Sequence, residues 1–159
     1  IAVADLVDEV LVDLEPLAQE KEIKLAGNCK DITMIGSDIL IYRMVYNLVE
    51  NAIKYNRPDG SVQVCITQEP EKLLILVSDT GRGIPEEYQQ SIFQPFFRVD
   101  KSRSRTFGGA GLGLALVWEI AALHGGSVRV AESSDSGTTI AAELPRSGNH
   151  EAAPKNETL

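Results

Sequence analysis

Residues 38–55 read DILIYRMVYNLVENAIKY, and the organisation of the whole chain follows from this stretch. Leu40, Met44, Leu48 and Ala52, with Ile41 and Val45 beside them, recur at spacings of three and four, which is one face of an amphipathic helix over residues 39–55. Gly36-Ser37-Asp38 supplies a turn and a capping residue ahead of it. A second stripe runs along the same helix: Asn47, Asn51 and Lys54 fall at i, i+4 and i+7, so their side chains stack. Asn is unfavourable inside helices and common at their ends, so the pair is either solvated or capping, or it has a ligand.

Outward from this helix, the N-terminal segment 4–21 carries Leu6, Val7, Val10, Leu11, Leu14 and Leu17 at helical spacing, with Pro16 an early stop or kink. Extended pieces are expected at 23–25 and 32–35. On the other side, a turn at 57–60 leads into alternating Val62, Val64 and Ile66, a half-buried strand over 62–67. A second turn at 69–71 and an apolar strand over 73–78 complete a hairpin. From 79 to 113 the periodicity disappears and Gly, Ser, Arg and Phe dominate, with a short helical stretch at 86–93. A connection this long inside a compact domain is a functional loop, often a lid. Leu112, Leu116, Ile120 and Leu123 mark a third helix stopped at His124-Gly125-Gly126. Val128 and Val130 pair with 138–144 in a closing hairpin, and the polar tail 146–159 is expected to be disordered. This order predicts an α+β fold in which a layer of helices lies on one largely antiparallel sheet.

Composition narrows the function. A chain of 159 residues suits one domain, here 1–145, with a core of its own. The formal charge of -8, with no basic block beyond Lys101, Arg103 and Arg105, gives nucleic acid little to bind. One basic loop on an acidic body suits a small anion better. Cys29 and Cys65 form neither a C-x-x-C pair nor a ligand set and read as reduced, buried small hydrophobes of a cytosolic protein. No apolar run approaches the roughly 20 residues that span a bilayer and no signal peptide opens the chain, so a soluble piece excised from a longer protein is expected.

The chemistry sits in four segments. There is no G-x-x-x-x-G-K-[ST], and the Gly109-Ala110-Gly111-Leu112-Gly113 run is not a G-x-G-x-x-G after a strand, which disfavours P-loop and dinucleotide folds. Two amide oxygens one helical turn apart, Asn47 and Asn51, can face one hard cation; Mg2+ accepts a few protein oxygens while keeping phosphates and waters. Lys54 can meet a phosphate as a point charge, and Tyr55 can stack on a base; equally, they are a solvated helix end and a core aromatic. Asp79 ends an apolar strand, where it can accept a hydrogen bond from a base amino group or merely open the turn before Gly81. Gly81 and Gly83 allow close approach to a flat ring or positive φ. Gly109, Gly111 and Gly113 leave N–H groups exposed at a helix start, which attracts phosphate, or serve as hinges. Phe93, Phe96 and Phe97 can anchor a lid, while Arg98, Lys101 and Arg103 can meet polyphosphate. His124, at a helix end before two glycines, reads as a structural cap rather than a phosphate acceptor.

Taken in order, Asn47-Leu48-Val49-Glu50-Asn51-Ala52 with Lys54-Tyr55, Asp79-Thr80-Gly81-Arg82-Gly83-Ile84, Phe93-Gln94-Pro95-Phe96-Phe97-Arg98 and Gly108 to Gly113 closely resemble the N, G1, F and G2 boxes of sensor histidine kinase catalytic domains, in the GHKL (HATPase_c) superfamily. Thr80 stands where Asn is commoner. The resemblance runs from about Asp5 to Pro145 and implies a Bergerat-type two-layer α/β sandwich: a mostly antiparallel mixed sheet covered on one face by three helices, with an ATP lid at about 82–110. It implies ATP (or ADP) and Mg2+ as ligands, with Asn47 and Asn51 on the metal and Asn47, Asn51, Lys54 and Arg98 serving catalysis. Nucleotide contacts are implied for Asn51, Lys54, Tyr55, Asp79 as base reader, Gly81, Gly83, Ile84, Phe97, Arg98, Lys101, Gly109, Gly111, Leu112, Gly113, Thr138 and Thr139. In related gyrase, chaperone and mismatch-repair ATPases the position of Asn47 is usually a glutamate that activates the nucleophile. An amide cannot take a proton, which favours transfer to an imidazole over hydrolysis. The implied partners are the protein's own dimerisation and phosphoacceptor helix bundle upstream and, indirectly, a response regulator. Neither nucleic acid nor direct membrane contact is implied; the parent would be a bacterial inner-membrane sensor with this domain in the cytoplasm. Hydrolysis by a GHKL-type ATPase and a degenerate docking module without nucleotide are the alternatives.

Overall fold

The computed structural model describes residues 1–95, 97 and 113–147. Helix α1 spans Val3–Glu20, strand β1 Lys24–Cys29, helix α2 Asp38–Lys54, β2 Ser61–Gln68, β3 Lys72–Asp79, helix α3 Gly113–Leu123, β4 Ser127–Ser134 and β5 Gly137–Pro145. The strands form one sheet in the order β1-β2-β3-β5-β4. β1 runs parallel to β2 and the other neighbours are antiparallel, so the sheet is mixed but mostly antiparallel, as the sequence implied.

Alternation sets the two faces of this sheet. Val62, Val64 and Ile66 of β2, Leu73, Ile75 and Val77 of β3, and Ile140, Ala142 and Leu144 of β5 are buried. Their neighbours Gln63, Leu74, Leu76 and Glu143 point to the more open face. The three described helices close the buried face. α2 lies between α1 and α3, packing Ile41, Met44, Val45, Leu48, Val49, Ala52 and Ile53 into the core. Side chains of this kind each contribute roughly 1.5–3 kcal/mol when removed from water, so α2 is the element on which the fold depends most. Its start is fixed by Ser37, whose Oγ accepts the Leu40 N–H at 3.1 Å, and Asp38 and Lys54 sit at the helix ends favoured by the dipole.

Five local expectations change. Pro16 neither ends nor sharply limits α1, which continues to Glu20. Pro16 lies on the exposed face, where water can reach the carbonyl it orphans, while Leu14 and Ala18 remain buried on either side. Residues 32–35 are not a strand of the sheet. A bridge joins Ala2 to Thr33, and Ile32 and Met34 bury against the start of α1. β1 is longer than the apolar signal of residues 23–25 because it is an edge strand, held by pairing with β2 rather than by alternating burial. The helical stretch at 86–93 resolves into two 3-10 turns, Glu86–Tyr88 and Ser91–Phe93. The cysteines are free thiols but half-buried rather than fully buried. Burial, reinforced by Cys65 and Asp8, pushes the Cys29 thiol up to about 11. The tail beyond residue 147 lies outside the described residues.

Candidate nucleotide site

The C-terminal half of α2, the end of β3 and the start of β5 converge. Asp79, the last residue of β3, pairs with Thr138 across the β3–β5 ladder. Its Oδ1 accepts the Gly81 N–H at 2.9 Å and the Thr138 N–H at 3.2 Å, and Oδ2 takes no hydrogen bond from the described residues. Burial raises the Asp79 pKa above the usual carboxylate range, against the two backbone N–H groups that lower it. A half-desolvated carboxylate with one oxygen held by backbone and the other open is a hydrogen-bond acceptor waiting for a donor.

The loop after Asp79 is pinned on both sides. Gly81 lies so close to the end of α2 that a Cβ there would sit 2.6 Å from the Tyr55 carbonyl oxygen. Gly83 has φ +84°, and a Cβ there would meet the Ser134 carbonyl oxygen at 2.1 Å, so only glycine fits. The next residue, Ile84, donates its N–H to Ser133 Oγ at 2.8 Å, and Ser133 Oγ lies 2.9 Å from Thr138 Oγ1. On the other flank Asn56 ties the loop to the sheet: its Nδ2 donates to the Ser61 carbonyl at 2.9 Å, and its Oδ1 accepts from Thr80 Oγ1 at 3.0 Å. Neither Asn56 nor Ser133 stood out in the sequence. Ser133 could have been found from the β4–β5 register, which sets it opposite Thr138.

On α2, Asn47, Asn51 and Lys54 form one half-buried stripe. Asn47 Nδ2 donates to the Arg43 carbonyl at 2.8 Å, which turns its Oδ1 toward the start of α3, where a Cβ on Gly113 would lie 3.0 Å from that oxygen. Lys54 Nζ is 3.7 Å from Glu50 Oε2, a partly exposed pair that holds it loosely. Tyr55 caps α2 and is 39% exposed. Phe97 packs its ring on Tyr88 with centroids 5.7 Å apart, and buried Phe93 lies 5.6 Å from Trp118 of α3.

The structure therefore brings together Asp79, Gly81, Gly83, Ile84 and Thr138 beside Tyr55, and Asn47 beside Gly113. It does not bring Thr139 into this cluster: adjacent strand residues face opposite ways, and Thr139 Oγ1 meets Ser78 Oγ at 2.8 Å on the other side of the sheet. Arg98, Lys101, Gly109, Gly111 and Leu112 lie outside the described residues, as do Phe96 and Arg103. His124 is buried at 4% exposure and bonded into the helix layer, as a cap rather than an acceptor would be. Among the described residues no group of three His, Cys, Asp or Glu side chains could hold a metal ion, and no helix is long and apolar enough to cross a membrane.

Residues 36–148 match the sequence family described as histidine kinase-, DNA gyrase B-, and HSP90-like ATPases. Sensor histidine kinase RppB of Synechocystis sp. is 36% identical over 143 residues, covering 89% of this chain and 32% of RppB. Among solved structures, the mycobacterial sensor histidine kinase MprB superposes with a TM-score of 0.82 at 30% identity, over 91% of this chain and 96% of that one. Full-length ShkA in complex with AMPPNP superposes with a TM-score of 0.81 at 27% identity, over 91% of this chain and 30% of ShkA. The chain spans about a third or less of the length of the curated relatives it matches.

Proposed function

The chain belongs to the histidine kinase-, DNA gyrase B-, and HSP90-like ATPase family, as a catalytic domain of the histidine kinase type, and from that membership we propose that it binds Mg·ATP and passes the γ-phosphate to a histidine on a separate helix bundle. The observation that carries this reading is Asp79, with Oδ1 fixed by the Gly81 and Thr138 amides and Oδ2 taking no hydrogen bond from the described residues, beside Gly81, which lies against the Tyr55 carbonyl, and close to Gly83 and Ile84 of the same loop. Such a carboxylate matches the exocyclic amino group of adenine, and the two glycines let the ring lie against backbone. The complex of ShkA with AMPPNP, in a structural relative of this chain, supports a nucleotide of this class.

At the phosphate end the donor set fits Mg2+. The oxygens are neutral amides on α2, Asn47 Oδ1 taking no hydrogen bond from the described residues while Nδ2 bonds to Arg43, and a small hard cation bound by one or two protein oxygens is completed by phosphates and water. Asn47 and Asn51 would hold the ion, which would neutralise charge on the β- and γ-phosphates. Lys54, released from Glu50, would serve the same anion, as would Gly113 at the start of α3; the roles proposed for Arg98, Lys101, Gly109, Gly111 and Leu112 fall outside the described residues. The bond from the γ-phosphorus to the ADP oxygen breaks as an imidazole nitrogen bonds to phosphorus. The domain's part is to hold the two in line and to offset charge.

Asn47 has no basic oxygen with which to activate water, so hydrolysis without an acceptor is expected to be slow. The acceptor bundle, a response regulator downstream and a membrane-bound bacterial parent with this domain in the cytoplasm complete the proposal. Incubation of the chain with Mg·ATP and a separately made cognate bundle is expected to yield an acid-labile, base-stable phosphohistidine, lost in Asn51→Ala. Rapid ATP hydrolysis by the chain alone would favour an ATPase instead.

A further inference from the structure

Helix α2 begins with half of a capping box. Ser37 Oγ accepts the Leu40 N–H at 3.1 Å; in the complete motif a Glu or Gln at that third helical position reaches back to the N–H of the capping residue. Leu40 cannot do so. The Ser37 N–H donates instead to His124 Nε2 at 3.1 Å, so the missing half is supplied by another helix end, 87 residues further along the chain.

The rest of the ring's surroundings fix its chemical form. His124 Nδ1 lies 2.9 Å from the Ile120 carbonyl oxygen, which can only accept, so Nδ1 carries the proton. Ser37 N–H can only donate, so Nε2 is bare. A neutral imidazole offers a donor and an acceptor at two corners of one rigid plane. The fit is close: a Cβ on Gly36 would lie 2.8 Å from Cδ2 and 3.0 Å from Nε2 of the ring.

This contact lies at one end of the antiparallel α2–α3 pair, and the proposed metal end lies at the other. Ten positions separate Ser37 from Asn47 and eleven separate His124 from Gly113, about 15–17 Å along the axes at 1.5 Å per residue. Gly113 there stands within 3.0 Å, measured from a Cβ placed on it, of Asn47 Oδ1. A displacement of α3 along α2 would break the His124–Ser37 bond and move Gly113 away from, or into, Asn47.

We infer that His124 is a positioning residue of the nucleotide site: as the trans half of the α2 capping box, it sets the register of α3 on α2 and so the spacing between Asn47 and the glycine-led start of α3. The nucleotide part of this inference rests on the proposed function; the register part does not.

Three variants of the 159-residue chain separate positioning from capping. His124→Ala removes both, whereas His124→Ala with Leu40→Gln restores a local capping box without restoring the link to α3. His124→Asn keeps a donor and an acceptor. In nuclear magnetic resonance spectra, the Gly113 backbone amide and the Asn47 side-chain amide are expected to shift in His124→Ala and to remain shifted when Leu40→Gln is added. His124→Asn should return them part of the way. Mg·ADP affinity should follow the same order, weakened about tenfold by His124→Ala, within the range of coupling between linked sites. Full recovery of both resonances by Leu40→Gln, or no shift in His124→Ala, would overturn the inference and leave His124 a simple cap. If His124→Ala does not fold, the wild-type ring nitrogens decide: a protonated Nδ1 and bare Nε2 are expected, and a protonated Nε2 contradicts the bonding on which the inference stands. A wild-type chain that folds but binds no Mg·ADP contradicts the proposed function, and the two resonances then judge His124 alone.

Discussion

The two ends of the proposed site are built differently. At the base end, Asp79, Gly81, Ile84, Ser133 and Thr138 bond to one another before any ligand arrives. At the phosphate end, among the described residues, Asn47 bonds to its own helix and Lys54 makes a loose pair with Glu50. Strand ladders and a glycine turn fix the first; a stripe on a helix offers the second. The base end therefore pre-pays its ordering cost, and the phosphate end, on the proposed function, would be completed by metal and anion. Preorganised recognition costs little on binding, so removal of a base-end group should weaken every nucleotide. Loss of a phosphate-end amide should matter only when metal is present.

The largest expected effect tests the first half of this contrast. Asp79→Ala should weaken adenine nucleotides about a hundredfold, the scale of a lost hydrogen bond to a charged group, with or without Mg2+, as read by calorimetric titration. Asp79→Asn sharpens it. Asn can still accept both backbone N–H groups at Oδ1, but its amino group faces the adenine amino group as a second donor. Because the Asp79 pKa is raised on folding, the folded state binds more protons than the unfolded one between the ordinary carboxylate value and the raised one. Stability falls as pH rises through that window and stays lower above it. Asp79→Asn should thus raise Tm at neutral pH while weakening binding, and the gain should disappear below the ordinary carboxylate pKa. An unchanged Tm at neutral pH would show that the carboxylate is not held at a cost.

Gly83→Ala comes next. With φ +84° and a carbonyl oxygen 2.1 Å from the added Cβ, it should cost about 2 kcal/mol of stability, measured by urea unfolding, and loosen the Ile84–Ser133 bond. A neutral result would mean that the loop is not pinned. Asn51→Ala should weaken Mg·ADP about tenfold and metal-free ADP hardly at all; equal weakening of both would remove Asn51 from the metal. The smallest effect belongs to Glu50→Ala, which breaks the Lys54 pair and should change stability by less than about 0.5 kcal/mol.

The same contrast separates what could be read in the sequence from what could not. α2 was legible because its apolar face and its Asn47-Asn51-Lys54 stripe repeat at the helical period, β2 because it alternates against the helix layer, β3 because it is a near-continuous apolar run, and β5 as the return strand of a closing hairpin. β1 was legible only in part: an edge strand with exposed Ala26 and Asn28 has no alternating burial to betray it. Asp79 and its glycines were visible as a motif, but the groups that hold them were not. Asn56 and Ser133 act through tertiary neighbours 24 and 49 positions away, and no local pattern marks such a pairing. Thr138 and Thr139 looked equivalent as a dipeptide until strand register assigned them to opposite faces. His124 was legible as a cap by its place before two glycines, but its partner on another helix was not.

In the proposed function, one carboxylate, two helix amides and a glycine-rich chain meet on a single magnesium nucleotide. Titration of ADP into the wild-type chain, first with Mg2+ and then with the metal chelated, tests it most directly. A saturable one-to-one complex that weakens on chelation is the predicted result; no association at millimolar nucleotide would contradict it.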